Sequence, residues 1–182
     1  LLRNHRYYFW PRFNYRPHNT GYQFNYGKLT HGQSCHWDVF YTSNISLNKQ
    51  WLDSELFDTN FPYPAWEDIE LGYRLYQKGL RTIFNKHAIA FHKHEISEAE
   101  FYNKIRKAGI SRVYLYKKHP ELKNIRCSIL KAKLILFIFK GIKIYSAILK
   151  FFKLHDLAWE LNMCYHTNLG IREGLKKNSL VV

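Results

Sequence analysis

The chain is poor in acidic residues, in paired cysteines, in methionine and in long uncharged runs, and each shortage excludes something. Asp and Glu number 14 against 28 Lys and Arg, giving a net charge of +14. Such a surplus attracts polyanions, whether nucleotides, anionic lipid headgroups, nucleic acid or acidic glycans, without choosing among them. A soluble protein from a lysine-rich proteome has the same balance. Cys35, Cys127 and Cys164 are far apart and form no CxxC pair. That argues against a disulfide framework or a zinc site and fits reduced thiols in a reducing compartment. Even in the most apolar stretch, lysines break every run well short of the ~20 residues of a spanning helix. The start, LLRNHRYYFW, is interrupted by basic and aromatic residues and does not read as a signal peptide. The sole methionine is Met163. The chain is therefore expected to be part of a longer protein, with processing or a cloning boundary as the alternatives.

What is present points to a folded protein. Hydrophobic residues make up 46% of the 182 and aromatics 18%, too rich for a disordered chain and enough for one domain with a core. The many Tyr, Phe and Trp rings suit cores, and they also make flat platforms for sugars or bases.

Residues 1–36 are aromatic and basic, broken by Pro11, Pro17, Gly21, Gly27 and Gly32, and read as loops and short extended pieces. Val39, Tyr41, Ile45 and Leu47 suggest a strand. Asn48 is a plausible N-cap for a helix over KQWLDSELF. FDTNFPYPAW is a loop, its prolines forcing extended geometry before them. EDIELGYRLYQKG is predicted as a helix with acids in its first turn and Gly79 just past its end. RTIF and AIAFH read as two short strands. Ser97 and Glu100 have capping-box spacing and open a helix, and a second helical stretch runs to about Lys118 before His119-Pro120. Residues 128–152 are apolar with single lysines inserted. On one helix, Lys133, Lys140, Lys143 and Lys150 would share a side, with Lys131 elsewhere. That pattern suits a basic amphipathic helix on an anionic membrane surface, or a wide apolar face packed on the domain or a partner. Gly141 is a natural break point. One short helix and a basic end complete the tail.

The informative stretch runs from Trp37 to His94. It offers, in order, FYTSNISLNK, ELFDTNF and AWEDIELGYRLYQKGLRTIFNKHAIAFHKH. This series resembles the acceptor-side, C-terminal half of family 2 glycosyltransferases of GT-A fold, and is similar to the C-terminal segment of galactosyltransferases of that fold. The resemblance covers about a third of the chain with specific motifs and implies an α/β fold. In it, residues 1–120 form part of a GT-A domain with a mixed sheet, and residues 121–182 form a basic helical tail, a candidate for membrane association.

Inverting sugar transfer needs a carboxylate to take the acceptor hydroxyl's proton, and positive charge on the leaving diphosphate. The resemblance maps the base onto Asp68, with Glu67 beside it. At a helix start the dipole is expected to lower the Asp68 pKa; plain helix capping is the bland alternative for the pair. Trp66 is carried over as an acceptor-stacking ring, with buried packing the alternative, and Asn44 as an acceptor-side residue. Glu70 and Arg74 have the spacing of a structural i,i+4 ion pair. His92 is the candidate ligand for a divalent metal, Mg or Mn, completed by ligands outside this chain; a hydrogen-bonded surface histidine is the alternative. His94 would point the same way. Neither the processive Gln-x-x-Arg-Trp motif nor an Asp-x-Asp occurs, so the addition of one or a few sugars is expected, with no donor site in this half. The implied partners are a nucleotide-sugar donor and a glycan or lipid-linked acceptor. The implied location is cytoplasmic, peripheral on the inner membrane face. The competing reading is a basic, aromatic-rich binding module for single-stranded nucleic acid or a membrane surface, although no recognised RNA-binding motif is present.

Overall fold

The computed structural model describes residues 2–9, 28–53, 56–94 and 96–177. It is an α/β chain in two compact units. The first comprises residues 1–59 and 67–97, and the second residues 60–66 and 98–182. Pro11, Pro17, Gly21 and Gly27 fall outside the described residues.

In the first unit a mixed three-stranded sheet has β3 (Thr82–His94) at its centre. β1 (Leu2–Phe9) pairs parallel to it on one side, and the two-residue β2 (Ser34–Cys35) antiparallel on the other. The amino-terminal segment therefore holds one eight-residue strand where loops and short extended pieces were expected. The two short strands expected after Gly79 are one continuous strand, and the break survives as a register shift. Arg3 pairs with Asn85, whereas the next residue, Asn4, pairs with Ile89. The skipped residues bulge, and the Asn85 side chain accepts from the His87 amide at 3.0 Å. A single strand with a bulge reads locally as two.

The strand expected over residues 39–47 is absent. Trp37–Val39 and Thr42–Asn44 are instead 3-10 turns. Trp37, Phe40 and Asn44 are the buried positions; their spacing of three and four residues is helical, not alternating. Asn48 does cap, accepting from the Gln50 amide at 3.1 Å, but it opens only the 3-10 turn Lys49–Trp51. That one turn suffices to lay Trp51 and Leu52 against Phe40, Leu71 and Leu75.

Helix α1 (Glu67–Gln77) forms as its sequence dictates. Ile69, Leu71, Leu75 and Gly72 face inward, and Gly72 lies directly against the Phe40 side chain. The helix closes with Gly79 at φ 100°, its amide bonded to the Tyr76 carbonyl and the Leu80 amide to that of Leu75. This is a Schellman closure, and Leu80 packs back on the same core.

The second unit is helical. The two helices expected over residues 98–118 are one, α2 (Glu98–Lys118). Gly109 does not break it, because the tail helix packs against it there: a Cβ on Gly109 would lie 2.5 Å from the Thr167 carbonyl oxygen. The tail helix, expected to be short, is α5 (His155–Lys177), 23 residues long. It packs along α2 through Gly170 and Gly174. A fork of two bonds from Arg106 to Glu173, both 2.8 Å, joins the pair. Phe101 stacks on Trp159 and Tyr102 on His166. Gly141 splits the apolar segment into α3 (Ile129–Ile138) and α4 (Ile142–Phe151), so Lys131 and Lys133 belong to α3, Lys143 and Lys150 to α4, and Lys140 to the turn between them. Both helices pack on α5.

The loop before α1 lends residues to this unit. The fully buried Ser111 hydroxyl donates to the Tyr63 carbonyl at 3.0 Å, and Phe61 meets Tyr114 edge to face. All three cysteines are free thiols.

Candidate functional site

The acidic start of α1 gathers the chemistry expected of the first unit. Asp68 is half-buried. Its Oδ1 accepts from the Ile69 amide at 2.8 Å and its Oδ2 from the Thr42 amide at 3.4 Å. The first bond is local, from the amide of the next residue in the first turn of α1. The second ties it to the 3-10 turn that carries Asn44.

The electrostatics differ from expectation. Asp68 was expected to have a lowered pKa, but it is raised to about 6. Burial is the main cause and the neighbouring charge of Glu67 the second; the amides of Ile69 and Thr42 offset them only in part. Desolvation of the carboxylate outweighs the amides at the helix start. Glu67 is itself unusual. Its Oε2 is buried and accepts no hydrogen bond among the described residues. Tyr41 lies in the same field: burial, then Asp38 and Asp68, push its hydroxyl up to about 12.

Asn44 is buried, and its amide donates to the Ala88 carbonyl at 3.3 Å, fixing the turn to β3 beside the bulge. Trp66 packs in the second unit, with the Arg112 guanidinium 5.7 Å from its ring centre. Its φ is 73°, a conformation a bulky residue rarely adopts and one that stores strain. His92 pairs with Tyr7 and His94 with Phe9 in the β1–β3 ladder; their side chains are outside the described residues. Among the described residues no group of three His, Cys, Asp or Glu side chains converges to hold an ion. A cavity of about 180 Å³ lies between Phe40, Leu47, Trp51 and Arg81. Neither Glu67 nor Asp68 lines it.

The expected Glu70–Arg74 pair forms. Glu70 is fully buried, and both its oxygens accept from Arg74 Nε at 2.9 and 3.0 Å. Arg74 also donates to the Leu56 carbonyl at 2.6 Å, pinning the loop that follows the Lys49–Trp51 turn. Arg74→Ala would strip a buried carboxylate of this partner. We expect a loss of about 3 kcal/mol, read as a lower midpoint in urea unfolding, with Glu70→Gln in the Arg74→Ala background recovering part of it.

The sequence did not reveal the Thr42 amide or that Tyr41 lies in the field of Asp38 and Asp68. A backbone donor has no side-chain signature, and these groups assemble only once residues 37–44 wind into turns. Comparison with family models, with curated proteins and with solved structures finds no match.

Proposed function

We propose that this chain is the acceptor-side half of an inverting glycosyltransferase of GT-A type, with Asp68 as the base. The observation that carries the proposal is the Glu67–Asp68 pair: a half-buried carboxylate titrating near 6, beside a buried carboxylate oxygen without a partner. A base works best when its pKa lies near the working pH. Asp68 is raised into that range, yet it is ionised at neutral pH. The unpartnered Glu67 oxygen is an acceptor that a sugar hydroxyl would satisfy.

In the proposed step the acceptor hydroxyl gives its proton to Asp68 as its oxygen bonds to the anomeric carbon. The bond from that carbon to the diphosphate breaks, and the nucleoside diphosphate leaves with the electron pair. Glu67 orients the hydroxyl. Asn44 acts through the turn it fixes. The described residues do not themselves make a metal site. A divalent cation, magnesium or manganese, belongs to the proposal only as a group held by ligands outside this chain, with His92 the one candidate within it. The donor site likewise lies outside the chain, and the proposed setting is the cytoplasmic face of a membrane bearing lipid-linked glycan.

The test is the release of nucleoside diphosphate by the full-length protein from a panel of sugar nucleotides, with and without candidate glycan acceptors. Acceptor-dependent release with one donor is expected. No release with any donor, together with retention on single-stranded nucleic acid that falls steeply with salt, would replace the proposal with a binding role.

A further inference from the structure

Helices α3 and α4 each leave an apolar face that is not used inside the unit. In α3 the buried positions are Ala132 and Leu136. Leu130, Leu134, Phe137 and Ile138 are exposed, Phe137 by 74%. At about 100° per residue these two sets lie on opposite sides of the helix. In α4 the usual arrangement is reversed. Its inward face carries Ile142 and the polar Ser146, whose hydroxyl accepts from Asn162 of α5 at 2.9 Å. Its outward face carries Ile144, Tyr145, Ile148 and Phe151, the last 82% exposed. A helix of a water-facing domain places its apolar stripe inward. Continuous apolar stripes left in the open mark an interaction surface.

Charge decides what covers this surface. Between Glu121 and Asp156 the chain has eight Lys and Arg and no acidic residue. On α3, Lys131 and Lys133 are exposed and flank the open stripe on its two sides. Lysines bordering an apolar stripe can lay their stems along it and direct their ammonium groups to an anionic plane. A second copy of the chain would bring the same lysines, within the same +14, against these. No helix in the described residues is long and apolar enough to cross a bilayer, so the stripes are suited to lying in its surface.

We propose that the outward faces of α3 and α4 form a docking surface for an anionic lipid bilayer, with Phe137 and Phe151 inserted at the headgroup level. This holds whether or not the chain transfers sugar. The experiment is vesicle flotation of the protein with phosphatidylcholine alone and with added phosphatidylserine. Binding should be strong only with phosphatidylserine and should weaken as salt rises. Lys131→Gln with Lys133→Gln should lower the affinity by roughly 30-fold. Phe137→Ser with Phe151→Ser should abolish flotation while the far-ultraviolet circular dichroism stays unchanged, since both rings are already in solvent. Phe151→Trp provides an independent readout, its emission shifting to the blue on anionic vesicles. The proposal is overturned if wild type stays unbound with phosphatidylserine or floats equally on both lipids. It is also overturned if light scattering finds a dimer that Phe137→Ser dissolves, since a second copy would then cover the face.

Discussion

Asp68→Asn should lower acceptor-dependent transfer by the full-length protein about 10³-fold, within the range for removal of a general base, without unfolding it. The amide is nearly isosteric and cannot take up the proton. Wild-type turnover should rise with pH through about 6, where Asp68 ionises, and then level off. Stability should show the opposite slope. Because burial raises the folded pKa from 3.8 to about 6, the folded state holds its proton more tightly than the unfolded chain. The associated stability is fully present below about pH 4 and is lost as pH rises through about 6. The shift of roughly two units corresponds to about 3 kcal/mol at most, and the amide gives some of that back by weakening the bond from Thr42. Urea midpoints measured from pH 4 to pH 7 should therefore decline in wild type and decline less in Asp68→Asn. A variant with near-normal turnover would remove Asp68 from the chemistry. A flat wild-type pH profile would do the same.

Gly170→Ala should destabilise the second unit by about 3 kcal/mol, the upper end for overpacking a filled contact. A Cβ there would drive into the Arg106 backbone carbonyl of α2, and a carbonyl inside a helix cannot swing aside. Its counterpart Gly109 faces the Thr167 carbonyl and Gly170 itself, so Gly109→Ala should be nearly as damaging. In an open helix the same substitutions would stabilise, because alanine is the better helix former. The sign of the change thus reports whether α2 and α5 are in contact, and thermal unfolding followed by circular dichroism reads it directly. The Arg106–Glu173 fork joins this same Arg106 to α5 three residues past Gly170. If Gly170→Ala raised the melting temperature, the close approach of the helices would be wrong.

Much of α1 was legible in the sequence because its signals are local. Acids crowd its start, apolar residues recur at helical spacing, and Gly79 supplies the one left-handed residue its closure needs. The Glu70–Arg74 pair, the cap at Asn48 and the break at Gly141 were readable for the same reason. What escaped depends on distant partners. The two helical stretches before His119 were in fact one because Gly170 presses on Gly109 from α5, and nothing near Gly109 in sequence reveals it. The turns at 37–44 looked like a strand because Val39, Tyr41 and Ile45 alternate in sequence, whereas the core takes Trp37 and Phe40. At the candidate site, Glu67 and Asp68 could be named, but the direction of the Asp68 shift could not. It is set by burial and by a neighbouring carboxylate, and no motif reports how much water a side chain has lost.

The segment from Asn60 to Trp66 has a consequence for dissection. It belongs with the helices although it precedes α1 in the chain, so the backbone passes between the two units three times, and no single cut releases either of them intact. A polypeptide begun at Glu98 would contain the whole of α2 and still lack the Tyr63 carbonyl. The hydroxyl of Ser111 would lose its acceptor at the very point where the helix is driest. Excision by protease or by gene truncation would therefore remove part of the helical unit along with everything upstream, which makes the two units one inheritable piece.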